Sequence, residues 1–254
     1  MEYIKTVNPA IQIIAVGDMA QKIYDKTTLD VLAFMEKFLG AHTKLTFTKC
    51  FRLPPELAEK LGRIWKKKII GVNDSCVVEK MTVPEAVDFL SMQDPKEVLC
   101  LGSRTGYMAD VLNDLENFYF DKFNKKTVYA SIADKESFGK LEPGKTSAIF
   151  TTFDSSKGLE RKICVVFDFT ESYWNVRIKK PQQKYEILRN IFCVAASRGK
   201  EHIVFVTNEE ALLSEETIST EPDSEKKYDN AVDISEMFDF KYREDIEACY
   251  ALLE

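Results

Sequence analysis

The stretch "GKLEPGKTSAIFTTFD", residues 139–154, admits two incompatible readings. Its first eight residues fit G-x-x-x-x-G-K-[ST], the pattern of a phosphate-binding P-loop. A working loop of that kind leads from a buried strand into a helix, because the backbone N–H groups at the helix start cradle the phosphates. The residues after Thr146 are β-branched and aromatic instead. Ala148, Phe150 and Thr152 alternate against Ile149, Thr151 and Phe153, which predicts a strand. Pro143-Gly144 then reads as an ordinary turn into that strand. The P-loop reading would require a helix from residue 147 onward, and the sequence argues against one.

Outward from this strand, strand-like and helix-like runs alternate, which predicts an α/β fold with a largely parallel, covered sheet. "IQIIAVG" (11–17) reads as a buried strand and "KLTFTKC" (44–50) as the next. Between them "TLDVLAFMEKFLG" (28–40) places Val31, Leu32, Met35, Phe38 and Leu39 on one helical face and stops at Gly40. Pro54 and Pro55 suit the first turn of a helix whose stripe is Leu57, Leu61, Ile64 and Trp65. "EVLCLGS" (97–103), "KTVYASI" (126–132), "KICVVFDF" (162–169) and "HIVFVT" (202–207) read as further strands. Helices carry Met108, Val111, Leu112 and Leu115, and later Leu188, Ile191, Phe192 and Ala195. Residues 214–230 have almost no large apolar side chains and read as a mobile linker, followed by a short docking helix around Ile246, Cys249, Tyr250 and Leu253.

The 254 residues leave ample room for a core, and 45% apolar with 30% charged side chains is ordinary for a globular protein. A net charge of −6 announces no global basic field, although a local groove can still be basic. The six cysteines form no C-x-x-C pair and sit mostly in apolar runs, as buried free thiols in a reducing compartment do. Two histidines exclude a His-rich metal site. No run is long enough to span a membrane and no signal-peptide pattern opens the chain, so a cytoplasmic location is expected.

Four polar segments fall at strand ends or loops, where open α/β sheets place ligand sites. "VGDMAQKIYD" (16–25) delivers Gln21 after a Gly-Asp turn. "CFRLPPEL" (50–57) puts Arg52 before a Pro-started helix, where a guanidinium can reach a polyanion bidentately or simply form a surface ion pair. "TTFDSSKGLER" (151–161) packs hydroxyls, Lys157, Gly158 and Glu160 between two apolar strands. In "ILRNIFCVAASRGKEHIVFV" (187–206) an apolar helix ends in Ser197-Arg198-Gly199-Lys200, where Arg198 could merely complement the helix C-terminus.

In order and spacing these segments resemble the C-terminal motifs of the UvrD/Rep/PcrA group of superfamily 1 DNA helicases, over residues 11 to 207. "VGDMAQKIY" is similar to V-G-D-x-x-Q-x-I-Y, "CFRLPPEL" to the N-Y-R-S segment, "TFDSSKGLE" to T-x-H-x-x-K-G-L-E, and "CVAASRGK" to Y-V-A-x-T-R-A-K. The resemblance implies a RecA-like parallel sheet flanked by helices and an ATP site with Mg2+. By position it makes Gln21 a γ-phosphate sensor and Arg52 and Arg198 arginine fingers. It puts Gly158, Glu160 and Tyr24 against the nucleotide, and Thr152, Ser155 and Lys157 against single-stranded or duplex DNA. An arginine finger contributes roughly 10³–10⁵ in rate to phosphoryl transfer.

The sequence also departs from that pattern. The aromatic-Arg-Gly run after I-Y, a base-stacking platform in many relatives, is "DKTT" here (25–28). The His of the third segment is Asp154, which would repel a phosphate backbone, and the Tyr and Thr of the fourth are Cys193 and Ser197. The family's P-loop and Asp-Glu magnesium motif precede V-G-D-x-x-Q, and "MEYIKTVNPAIQIIA" contains neither. The expectation is the C-terminal ATPase half of such a helicase, completed by an N-terminal lobe in cis or in trans. Residues 1–40 would end the first lobe, 41–213 form the second, and 214–254 add a linker and terminal helix. The alternative is a non-catalytic module that keeps the fold to bind a partner protein or nucleic acid. The acidic balance and Asp154 favour the module. Gln21, Arg52, Glu160 and Arg198 together favour the ATPase.

Overall fold

The computed structural model describes residues 2–18, 21, 31–131, 144, 146–168 and 185–207. Six parallel strands form the central sheet: β3 (Val77–Thr82), β4 (Val98–Gly102), β5 (Val128–Ser131), β6 (Ala148–Thr152), β7 (Arg161–Val166) and β8 (Gly199–Thr207). Their spatial order is β3-β8-β7-β4-β6-β5, and β1 (Lys49–Cys50) pairs separately with β2 (Ile70–Gly71). The helices are α1 (Glu2–Val7), α2 (Val31–Leu39), α3 (Pro55–Trp65), α4 (Val83–Met92), α5 (Tyr107–Phe118) and α6 (Tyr185–Ala195). This is an α/β, RecA-like arrangement.

The central strands are apolar on both faces because helices cover both. Along them, successive side chains point to opposite sides. Leu99, Leu101, Ile149, Cys164, Val166, Ile203 and Phe205 pack with Leu57, Leu61 and Ile64 of α3 and with Ile191 and Phe192 of α6. Val98, Cys100, Ala148, Phe150, Ile163, Val165 and Val204 pack on the other side with Ala86 and Leu90 of α4 and with Met108, Val111 and Leu115 of α5. Each large side chain buried this way stabilises the fold by roughly 1.5–3 kcal/mol.

Helix boundaries obey their local chemistry. Pro55 starts α3, and Lys66 in the left-handed region (φ 54°) ends it, its N–H donating to the Arg63 carbonyl. Glu85 accepts from the Thr82 backbone N–H in a capping box that opens α4. Residues 146–154 settle the opening ambiguity, since β6 is a strand buried over Ala148–Thr151 and no helix begins after Thr146. The Gly144 carbonyl accepts from the Ser147 N–H and from Arg161 Nη2 at 2.9 Å. The turn therefore anchors β6 to the start of β7.

Two expectations fail. Residues 11–17 have no regular secondary structure, with Ile14 and Val16 78% and 81% exposed, and are not a buried strand. A strand needs a neighbour to satisfy its backbone, and among the described residues none pairs with this one. Of residues 44–50 only Lys49–Cys50 is strand, with Leu45 and Phe47 exposed. Conversely, β3 and α4 are additional elements. The expected linker at 214–230, the terminal helix and Tyr24 lie outside the described residues. No helix among the described residues is long and apolar enough to cross a membrane.

Candidate functional site

The parallel registers define two edges of the sheet. β7 and β8 enter it at Arg161 and Gly199, which face each other, while β4 and β6 leave it together at Gly102 and Thr152. Glu160 and Arg198 immediately precede those two entering residues, so they lie at the amino-terminal edge. The Arg161 N–H donates to the Arg198 carbonyl at 3.3 Å, locking the two segments side by side. A site at the carboxyl edge is the usual case for open α/β sheets, and this group lies at the other one.

Arg52 reaches the same place from the loop between β1 and α3, where buried Leu53 pins the chain. Its Nη1 donates to Glu160 Oε2 at 2.9 Å, and Lys200 Nζ lies 2.5 Å from Glu160 Oε1. Lys200 and then Arg52 hold the Glu160 carboxyl below the usual carboxylate range, against an opposing effect of partial burial. Asn73 ties the backbone of this group together. Its Nδ2 donates to the Arg52 carbonyl at 2.9 Å and to the Lys200 carbonyl at 2.5 Å.

Arg198 is only 4% exposed. Its Nε donates to the Val194 carbonyl at 2.8 Å, and Nη2 donates to Ser197 Oγ at 3.0 Å. The bond to Val194 is the helix-end role that the sequence left open. Among the described residues, however, no carboxylate forms an ion pair with Arg198. Burial, and then the neighbouring Arg52 charge, push its guanidinium down to about 10. Buried charges are ordinarily paired. Within this group Arg52 and Lys200 share one carboxylate, Glu160, and Arg198 adds a third cation nearby, so the group carries an excess of positive charge.

The structure thus brings Arg52, Glu160 and Arg198 together. Gly158, on the same loop, has φ +86° with nothing within 4 Å of where a Cβ would stand. Glycine is required there by the backbone conformation. Thr152 and Ser155 lie toward the carboxyl edge, hydroxyl to hydroxyl at 3.3 Å, and Lys157 is exposed between the two sets. Gln21 donates to Asp18 Oδ2 at 3.1 Å, and Asp18 also accepts from Lys67 Nζ at 2.7 Å. That places it against the end of α3, with no hydrogen bond to either arginine.

Sequence reasoning passed over Lys200 and Asn73, and also Asp168. Asp168 is buried with φ 54°, and its carboxylate accepts from the N–H groups of Ser103 and Tyr107 at 2.9 and 2.6 Å. It closes the N-terminus of α5 from the carboxyl edge. Burial raises its pKa, and the backbone bonds oppose that rise. Its signal was an aspartate at the end of the apolar strand "KICVVFD", where a solvent-free position demands donors.

No protein-family model matches the chain. No curated protein matches it either. Among solved structures, the C-terminal domain of a possible DNA helicase from Lactobacillus plantarum WCFS1 is similar over 62% of this chain and 87% of that one. The identity is 16% and the TM-score 0.38, too distant a likeness to bear on function.

Proposed function

We propose that the chain is the C-terminal ATPase half of a UvrD-like, superfamily 1 ATP-dependent DNA helicase, residues 41–213 being its second RecA-like lobe. The observation that carries this reading is the buried Arg198, without a carboxylate partner among the described residues, beside Arg52 at one sheet edge. The motif resemblance assigns phosphate contact to those same two arginines.

The residues present fit the phosphate end of ATP and not its metal. Two cations pair with one carboxylate and the buried Arg198 guanidinium adds a third positive charge nearby, whereas no group of three or more His, Cys, Asp or Glu among the described residues could hold Mg2+. When bound, MgATP supplies the phosphoryl group whose transfer releases energy. Arg52 and Arg198 stabilise charge at its outer phosphate, and burial makes the Arg198 charge more effective because little water screens it. Gln21 senses the γ-phosphate, while Gly158, Glu160 and Tyr24 hold the nucleotide. Thr152, Ser155 and Lys157, toward the far edge, take the DNA backbone. Closure of a first lobe on this edge brings the P-loop lysine and magnesium carboxylates, and repeated closure moves the protein along DNA.

The test is hydrolysis by parts. The 254-residue chain alone should show no DNA-stimulated ATPase activity. Fusion upstream of residue 1 to a UvrD-type first lobe, itself inactive, should create it. Activity of the chain alone that Lys145→Ala abolishes would restore the P-loop reading and overturn this one.

A further inference from the structure

We propose that Glu160 is a displaceable counter-ion, and that Lys200 is a third cation which, with Arg52, it surrenders to the terminal group of an oligophosphate. This rests on the phosphate site proposed above and assigns two roles beyond it.

The geometry carries the inference. The two carboxylate oxygens are divided between two cations, Oε2 on Arg52 at 2.9 Å and Oε1 on Lys200 at 2.5 Å. A phosphate oxygen pair would engage those donors the same way, so Glu160 sits as an internal mimic of the anion. It is replaceable because the contact is open to solvent: the side chains of Arg52, Glu160 and Lys200 are 25%, 42% and 48% exposed. An ion pair so exposed is worth little by itself, and a ligand end bearing more than one negative charge outcompetes a single carboxylate.

The backbones that carry the two cations are held independently of the carboxylate. Asn73 holds the carbonyls of both Arg52 and Lys200, and Lys200 belongs to β8, whose backbone the sheet fixes. Glu160 stands just outside the sheet. It precedes β7, two residues after Gly158, whose φ of +86° ends a turn that is not part of the sheet. Freed from the cations, its carboxylate can accept a hydroxyl donor elsewhere on the same ligand. Occupancy of the phosphate position would then control where Glu160 points.

Titration calorimetry of the full chain with inorganic tripolyphosphate, at neutral pH and low salt, separates this inference from the reading beneath it. Arg198→Ala reports on the site itself and should weaken binding at least about tenfold. Glu160→Gln removes the competing charge and should tighten binding by about tenfold, while Glu160→Asp, which keeps the charge, should stay near wild type. Lys200→Gln should weaken binding by a similar factor. If Arg198→Ala weakens binding but Glu160→Gln leaves it unchanged or weaker, the counter-ion role is wrong and the phosphate site stands. If tripolyphosphate does not bind, or binds regardless of Arg52 and Arg198, both readings fall. Should Glu160→Gln lose its cooperative melt, Lys200→Gln decides, and unchanged affinity there overturns the proposal.

Discussion

Asn73→Ala isolates the amide that couples the two halves of the cation cluster. Truncation removes two donations from Nδ2, one to the half-buried Arg52 carbonyl at 2.9 Å and one to the exposed Lys200 carbonyl at 2.5 Å. It also removes the acceptor for Ser75 Oγ. The backbone bonds of Asn73 to Leu53 and Cys76 survive. A net hydrogen bond contributes about 0.5–1.5 kcal/mol, and water replaces the exposed ones at small cost, so the expected loss is about 1.5 kcal/mol. Urea unfolding followed by tryptophan fluorescence should show a lower midpoint with an unchanged slope. Ser75→Ala, which deletes only the outer hydroxyl, should remain within about 0.5 kcal/mol of wild type. An Asn73→Ala variant equally close to wild type would refute the bridging amide.

Three further outcomes are expected from the same structure. Gly71→Ala should destabilise the fold by about 1–3 kcal/mol in the same urea assay, because its Cβ would stand 2.5 Å from the Pro54 carbonyl oxygen, a backbone atom with no rotamer to change. Burial pushes the Cys76 thiol up to about 11 and Cys164 up to about 12, and raises Cys100 too, so none of the three should react with a disulfide reagent at pH 8 until urea unfolds the chain. Peptide mapping of the labelled thiols checks this. Glu160 has a lowered folded pKa, so its modest stabilisation is present above the unfolded carboxylate value of about 4.3 and lost as pH falls through the folded one. The stability difference between wild type and Glu160→Gln should therefore shrink below about pH 4.3.

The central fold was legible where burial wrote it directly into the residues. β4, β6, β7 and β8 are apolar on both faces, and the stripes of α3 and α5 name their buried residues. Residues 11–17 misled for a physical reason: an apolar run specifies a strand only if a partner strand accepts it, and sequence composition carries no information about the partner. β3 escaped notice because Glu79 and Lys80 interrupt its apolar pattern, as suits an edge strand with Val77 half exposed. In the site, Arg52, Glu160 and Arg198 could be named in advance through motif spacing. Asn73 could not, because its function is to join carbonyls of residues 21 and 127 positions away. Lys200 stands two residues after Arg198 in the sequence, yet only the fold reveals that it shares Glu160 with Arg52.

The most direct test of the central claim is the turnover of Arg198 variants after fusion to a UvrD-type first lobe. Arg198→Ala should lower kcat by roughly 10³ or more while nucleotide affinity falls far less, because the buried guanidinium acts chiefly on charge that develops during phosphoryl transfer. Arg198→Lys should recover little, since an ammonium lacks the fork that donates at once to Val194, Ser197 and the ligand. An Arg198→Ala fusion that still hydrolyses ATP at close to the wild-type rate, or that loses only affinity, would contradict the account.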